Sequence, residues 1–550
     1  MAPSAAISTT STILDESDQQ KVPEVAKGQI EMSEKNEDPA SPADTGSNGV
    51  TLLMTVVALA LSMFLVSLDM TIVATAIPSI TSDFGGIELV GWYGSAFFIT
   101  LGGFQATWGK TYKYFPLKFS FLFSIILFEL GSLVCGIAPS SLALIVGRAI
   151  TGIGGAGISS GAFTIIALSA PPKQRPVYIG ILGASYGVAA AIGPLIGGAF
   201  TSNVTWRWCF YINLPIGGVA GLIILFFYRP PSPSHFLQEP LREKLLQLDL
   251  PGTALLIGAM ICYVFALQWG GITRPWSDSA VVGTLIGFGV LLITYAVVQW
   301  VQKERAAMIG RLFKWNVVIS MIYIDLLAGT FFLLVYYLPV YFQVVSGVSA
   351  AESGIRNLPL ILAQSVATVS SGIALSKVAY PQPFLLAGAA LTAIGSGLLY
   401  TLNINSGASK WIGYQILAGL GIGWCFQVPV VTAQSAVPPE DLPSTTAMVL
   451  TVQTIGGSVF VSAGQSVLDN VLLKMLRKSP GIDATKVVMT GATDLRKTFD
   501  LTQIPAILGA YMKGIQAAFL IAIVASSLAT VVSLGSRWRK LASASATAAA

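Results

Sequence analysis

The sequence predicts an all-α protein that crosses a membrane fourteen times, as two six-helix bundles with two further helices inserted between them. Three observations predict it. Of 550 residues, 54% are hydrophobic and only 10% charged, with a mean hydropathy of +0.72. That leaves too little polar surface to cover a soluble core. Apolar stretches long enough to span a bilayer, at about 20 residues each, begin near Thr51, Val90, Leu117, Leu142, Val177, Cys209, Pro251, Ala280, Val317, Gly354, Phe384, Trp411, Ser444 and Tyr511. The chain also repeats itself at a constant offset of 267 residues: Lys110 matches Lys377, Pro116 matches Pro383, Gly147 to Gly154 matches Tyr414 to Gly421, and Pro171-Pro172 matches Pro438-Pro439. Such repeats underlie carriers in which two helical bundles rock about a central site.

Taken in order, residues 1–49 form an acidic tail rich in Ser, Thr and Pro. It holds three Lys against nine Asp and Glu, net −6, so a total of +5 leaves +11 for the remainder. No basic region followed by an apolar run marks a signal peptide, and the segment reads as a disordered cytosolic tail. Residues 50–228 are the N-terminal six-helix bundle, 229–310 the inserted seventh and eighth helices with their loops, 311–536 the C-terminal bundle and 537–550 a cytosolic tail. An even number of crossings puts both ends on one side. Lys110, Lys113 and Lys118, then Lys173 and Arg175, then Lys303, Arg305, Arg311 and Lys314 mark the cytosolic face by the excess of basic residues in cytosolic loops. The connection from Val471 to Ala510 runs against this rule, because it would be external yet carries six Lys and Arg.

Several chemistries are disfavoured. The lone His235 and the scattered Cys135, Cys209, Cys262 and Cys425 have no metal-ligand or disulfide spacing, so no metal and no cofactor is expected. Gly109-Lys110-Thr111 lacks the glycine five positions earlier that a phosphate-binding loop needs, since Phe104 stands there. The basic excess suits membrane lipids and gives no support for nucleic acid. Asn203, in Asn-Val-Thr, is a glycosylation acceptor by pattern.

Charges near the bilayer centre cost at least about 2.5 to 3.5 kcal/mol unless paired or hydrated. Counted from the helix ends at a rise of about 1.5 Å per residue, Asp69, Glu129, Arg148 and Asp325 fall near mid-depth, and they are the candidates for proton coupling. Arg148 has Gln415 as its repeat partner, so this charge is one-sided. The stretch GASYGVAAAIGPLIGGAF, Gly183 to Phe200, pairs Gly183 with Gly187 and Gly193 with Gly197 at a spacing of four, beside Gly198. These glycines let neighbouring backbones approach, and Pro194 removes a helix donor and should bend or loosen the helix. The segment is either a gate or simply a close-packing face. An aromatic, weakly polar substrate cavity is expected from Phe332, Tyr336, Gln343, Gln364, Gln427 and Gln453 as a set. Aromatic packing is the competing account of each one.

Six motifs and segments carry a family resemblance. The Gly183–Gly198 segment resembles the antiporter signature of fifth helices in the major facilitator superfamily, and LDMTIVATAIP (Leu68 to Pro78) resembles the first-helix signature of its fourteen-helix drug:proton antiporters. Gly147-Arg148 with Gly152 and Gly154 is similar to the fourth-helix arginine motif, and WRWCFYINLPIGG (Trp206 to Gly218) is similar to the fourteen-helix subgroup. Loop WGKTYKYFPLK and segment SGIRNLP (Ser353 to Pro359) resemble fungal toxin and multidrug efflux pumps. The resemblance implies a major facilitator fold and proton-driven export of a hydrophobic mycotoxin, secondary metabolite or drug by a plasma-membrane monomer. It also implies that Asp69 and Arg148, in one half, are neighbours. One departure stands out: after Gly109 the loop reads Lys-Thr-Tyr-Lys-Tyr, without the superfamily's usual acid and arginine, so Lys110 and Lys113 are expected at phosphates or helix C-termini. The competing functions are a plasma-membrane or vacuolar carrier of a polar solute, such as a siderophore or basic amino acid, and a non-transporting receptor, which would leave the repeat and the buried charges without a role.

Overall fold

A computed structural model describes residues 49–84, 90–230, 235–479, 481–490 and 495–541. The expected N-terminal tail up to and including Asn48 and the end of the chain beyond Leu541 lie outside the described residues. The long helices are α1 (Gly49–Phe84), α2 (Val90–Tyr114), α3 (Leu117–Gly136), α4 (Ser141–Ser169), α5 (Arg175–Asn203), α6 (Asn213–Phe227), α7 (Leu250–Trp269), α8 (Ser279–Gln302), α9 (Trp315–Ser346), α10 (Leu358–Val378), α11 (Gln382–Tyr400), α12 (Ala408–Cys425), α13 (Leu442–Leu476) and α14 (Ile504–Leu534). Among the described residues there is no strand.

Local sequence sets the helix starts. Prolines occupy the first turns of α5, α7, α10, α11, α13 and α14, where their missing N–H costs no intrahelical bond. Ser140, Asp249 and Asp278 cap α4, α7 and α8 by accepting from Ala143, Gly252 and Ala280. Asp278 lies in the loop before α8, and the Ala280 N–H holds its carboxyl below the ordinary aspartate range.

Thirteen described segments are long and apolar enough to cross a membrane. α2, the second of the fourteen stretches, is not among them although it is 25 residues long. Its buried Gln105, Thr107, Lys110 and Lys113 lower its hydropathy, and it can carry them because it packs between α4 and α13 and has little need of lipid-compatible side chains.

Helices α1 to α6 pack mainly on one another, as do α9 to α14, and the sets meet where α5 lies on α10 and α2 on α13. α7 packs on α8 and also touches α2 and α13. α8 buries only Val281 and Gln299; its exposed Ile286, Val290, Ile293 and Val297 form a face that only a hydrocarbon surrounding leaves without penalty. α5 runs unbroken through Pro194 and α9 through Pro339, so neither proline ends its helix. Three of the four cysteines are buried and all four are free thiols.

Candidate functional site

The polar core of the first six helices is built around Asp69. It lies on α1 and is fully buried. One carboxylate oxygen receives Nη1 of Arg148 from α4 in an ion pair, and the other receives Nδ2 of Asn213 from α6 at 3.1 Å. Arg148 is 1% exposed, donates Nε to the Tyr93 carbonyl of α2 at 2.9 Å, and lies 4.4 Å from the centre of the Phe97 ring. Four helices therefore converge on one charge pair, which is how a charge is tolerated away from water. Asn213 Nδ2 also reaches Ser132 Oγ on α3 at 3.1 Å, while its own Oδ1 has no partner.

The other two acids are placed differently. Glu129 lies on α3 against Gly217 of α6, one turn from the Ser132–Asn213 contact, and neither carboxylate oxygen has a hydrogen-bond partner. Asp325 lies on α9 against Gly456 of α13, in the other half of the molecule. Among the described residues it has no basic partner. Gln415, the repeat partner of Arg148, donates to the Arg356 carbonyl at 3.0 Å, so the neutral position keeps a backbone contact and drops the ion pair.

α5 joins the two sets of helices through its glycines. A Cβ on Gly193 would stand 2.1 Å from Thr71 Oγ1, and one on Gly197 2.3 Å from Thr75 Oγ1, both on α1. A Cβ on Gly183 would lie 2.8 Å from Gln427, and one on Gly187 2.2 Å from Ser365 of α10. One pair thus seals α5 to its own half and the other to the opposite half. Gly198 is outside this packing, because the nearest atom to its Cβ position is Ala351 Cβ at 3.9 Å.

A cavity of about 290 Å³ lies between the sets. Met70 of α1, Phe98 and Gln105 of α2, Phe163 of α4 and Tyr186 of α5 line one side; Phe332, Tyr336, Phe426, Gln427 and Gln453 line the other. No charged side chain lines it. Gln427 and Gln453 each have a side-chain carbonyl without a partner. Of the six expected cavity residues, Phe332, Tyr336, Gln427 and Gln453 are there. Gln343 and Gln364 are not: Gln343 donates to Ser353 Oγ at 2.9 Å, and Gln364 is buried where α10 meets Gly187 and Gly423. The first-half residues were missed. Adding the 267-residue offset to Ser159 gives Phe426, and both line the cavity, so the repeat was the signal available. Asn203 is exposed at the end of α5, its amide on the Ala199 carbonyl.

Lys113 contradicts the expectation of a phosphate or helix-terminus partner. It forms an ion pair at 2.8 Å with Asp441, which is fully buried at the start of α13. Asp441 also receives both Nη atoms of Arg311, and Arg311 Nε bonds both Glu304 oxygens at 3.0 Å. Arg311 lies outside the spanning segments, and its bond to Asp441 raises its pKa above the usual arginine range. Lys110 donates to the Glu304 carbonyl, just past the end of α8, and to Gln247 at 3.3 Å.

Comparison with known proteins agrees with this architecture. The model of the Major Facilitator Superfamily matches residues 59–461. The chain is 45% identical over 513 residues to an MFS-type transporter, grgE, of Penicillium sp, covering 93% of this chain and 90% of that one. It is 45% identical over 505 residues to a probable efflux pump, gsfJ, of Penicillium aethiopicum, covering 91% and 90%, and 41% identical over 495 residues to the MFS-type efflux pump MFS1 of Trichophyton rubrum, covering 90% and 92%. Among solved structures, the proton:xylose symporter XylE aligns with a TM-score of 0.59 at 14% identity, over 91% of this chain and 99% of that one.

Proposed function

The chain belongs to the Major Facilitator Superfamily, and on that premise we propose that it is a proton-coupled exporter of a hydrophobic small molecule, of the secondary-metabolite or drug class. The uncharged aromatic cavity carries this reading. A cavity lined by Phe98, Phe163, Phe332, Tyr336 and Phe426 with three glutamines holds apolar molecules by area and orients them with a few amide contacts. It also disfavours a cationic amino acid or an anionic siderophore complex, because a buried charged solute would meet no countercharge there. Names of relatives such as the probable efflux pump gsfJ support export.

Protons would act at Asp69, outside the cavity wall. Binding a proton there cancels the charge that holds Arg148, so the contact among α1, α2, α4 and α6 would alternate with the loading of the site. Residues 50–228 and 311–536 would then rock as two bundles, with 229–310 as an insertion, in the plasma membrane and as a monomer. The molecule works as a carrier, without catalysis. The test is accumulation of a hydrophobic fluorescent drug by reconstituted vesicles under an imposed pH gradient. Uptake that collapses with a protonophore and is not competed by arginine or a ferric siderophore is expected. Uptake that ignores the gradient, or transport of arginine in its place, overturns the reading.

A further inference from the structure

A second cavity, of about 600 Å³, lies at the end of α8 where the chain turns toward α9. One wall is apolar and aromatic, formed by Leu292, Tyr295 and Trp300 of α8 with Phe313; the other carries Lys303, Glu304 and Arg311. The apolar wall continues onto Ile293 and Val297, both more than half exposed on the bare face of α8. The cavity therefore opens toward the hydrocarbon at one end and toward water at the other. Trp300, 81% exposed, has the amphipathic character found at membrane interfaces.

The charges at the polar end do not cancel. Both Glu304 oxygens accept from Arg311, the remaining Arg311 donors go to Asp441, and Lys113 also pairs with Asp441, so these two cations and two acids neutralise one another. Lys303 has no acid partner among the described residues. Its backbone has φ +52 and ψ −107, a region that L-residues rarely enter. Strain of this kind persists where surrounding structure imposes it and gathers at ligand clamps and switches.

We propose that this cavity binds an anionic phospholipid of the leaflet in which α8 ends, with the net negative headgroup on Lys303 and the acyl chains along Ile293 and Val297. A basic pocket beside a spanning helix on the side rich in Lys and Arg is a site that acidic headgroups fill. Neither half of the wall suffices alone: a soluble phosphate gains nothing from the apolar face, and in a zwitterionic lipid the headgroup cation offsets most of what its phosphate gains from Lys303.

Native mass spectrometry of the full-length protein, loaded from vesicles of phosphatidylserine or phosphatidylcholine, tests this. Phosphatidylserine is expected to be retained in preference. Lys303→Gln should weaken its retention about fivefold, the loss of one near-surface basic contact. Lys303→Arg should keep it, and Lys377→Gln, at another exposed lysine, should leave it unchanged. Because Lys303 is exposed, these variants are expected to fold, which thermal unfolding in phosphatidylcholine checks. Equal retention of the two lipids, an unaltered Lys303→Gln, or displacement by inorganic phosphate or glycerophosphoserine at matched concentration overturns the lipid assignment; the last outcome would make the pocket a reader of free phosphate.

Discussion

Both carboxylate oxygens of Asp69 are engaged, one by Arg148 and the other by Asn213, so protonation there must disturb at least one contact. Asp69→Asn keeps the shape and removes the charge. In reconstituted vesicles it is expected to abolish uphill export and the response to an imposed pH gradient while leaving downhill exchange; a wild-type pH response would move the coupling site to Glu129 or Asp325. Arg148→Lys should fare nearly as badly, because one ammonium cannot serve Asp69 and the Tyr93 carbonyl together as the planar guanidinium does. Asn213→Leu removes an interhelical bond to the Asp69 carboxylate worth about 1.5 to 3 kcal/mol but leaves the Arg148 ion pair, so it should blunt gradient dependence without eliminating transport. Asp69 and Arg148, whose adjacency the family resemblance implied, were each legible in the sequence because an intramembrane charge is costly enough to stand out. Asn213 was not, since a single neutral amide in an apolar run carries little signal. The Lys113–Asp441 pair, 328 positions apart, was unreadable for a different reason: no local pattern links the end of α2 to the start of α13, which only the folded halves bring together.

At the scale of elements, α5 is a helix with two close-packed faces, and its glycine spacing told that much before the structure did. Which neighbour each glycine pair meets was not readable, because α1 and α10 both present small hydroxyl side chains to it, Thr71 and Thr75 on one and Ser365 on the other. Nor could spacing distinguish Gly198, which the helical turn carries away from both contacts. Gly193→Leu and Gly187→Leu are both expected to abolish transport while leaving membrane insertion intact. The first acts by forcing α5 off Thr71, the second by forcing it off Ser365. Gly198→Ala should transport normally, because its new methyl meets nothing nearer than 3.9 Å. Transport assayed at matched expression checks all three, and full activity of Gly187→Leu would reduce the motif to incidental packing. The hydropathy shortfall of α2 follows the same logic: a helix between two others and a cavity can carry Gln105 and Lys113, which a lipid-facing helix such as α8 could not.

Across the whole molecule, one end is tied shut while the cavity lies beyond the tie. Lys113 of the first half and Arg311, just ahead of α9, both close on Asp441 at the start of α13, and the cavity lining reaches from Ser159 toward Ile77 and Gly91 at the opposite ends of α1 and α2. On the proposed topology this would be the state open away from the cytosol, with Asp441 as its fastening. Removing Asp441 leaves two cations facing each other, one of them, Lys113, only 6% exposed. Breaking a buried pair by deleting one partner costs about 3 kcal/mol or more, enough to shift a two-state balance about a hundredfold. Asp441→Asn should therefore populate the opposite state. With a cysteine placed at Ser159 in the cavity wall, a membrane-impermeant thiol reagent on the cytosolic side should label Asp441→Asn far faster than the parent, and Lys113→Gln should follow in the same direction with a smaller gain, because Asp441 then keeps Arg311 as a partner and no buried charge is left unpaired. Equal labelling of all three would mean that the Asp441 cluster merely fixes loops, and that the α5–α10 and α2–α13 contacts alone decide which end of the molecule is open.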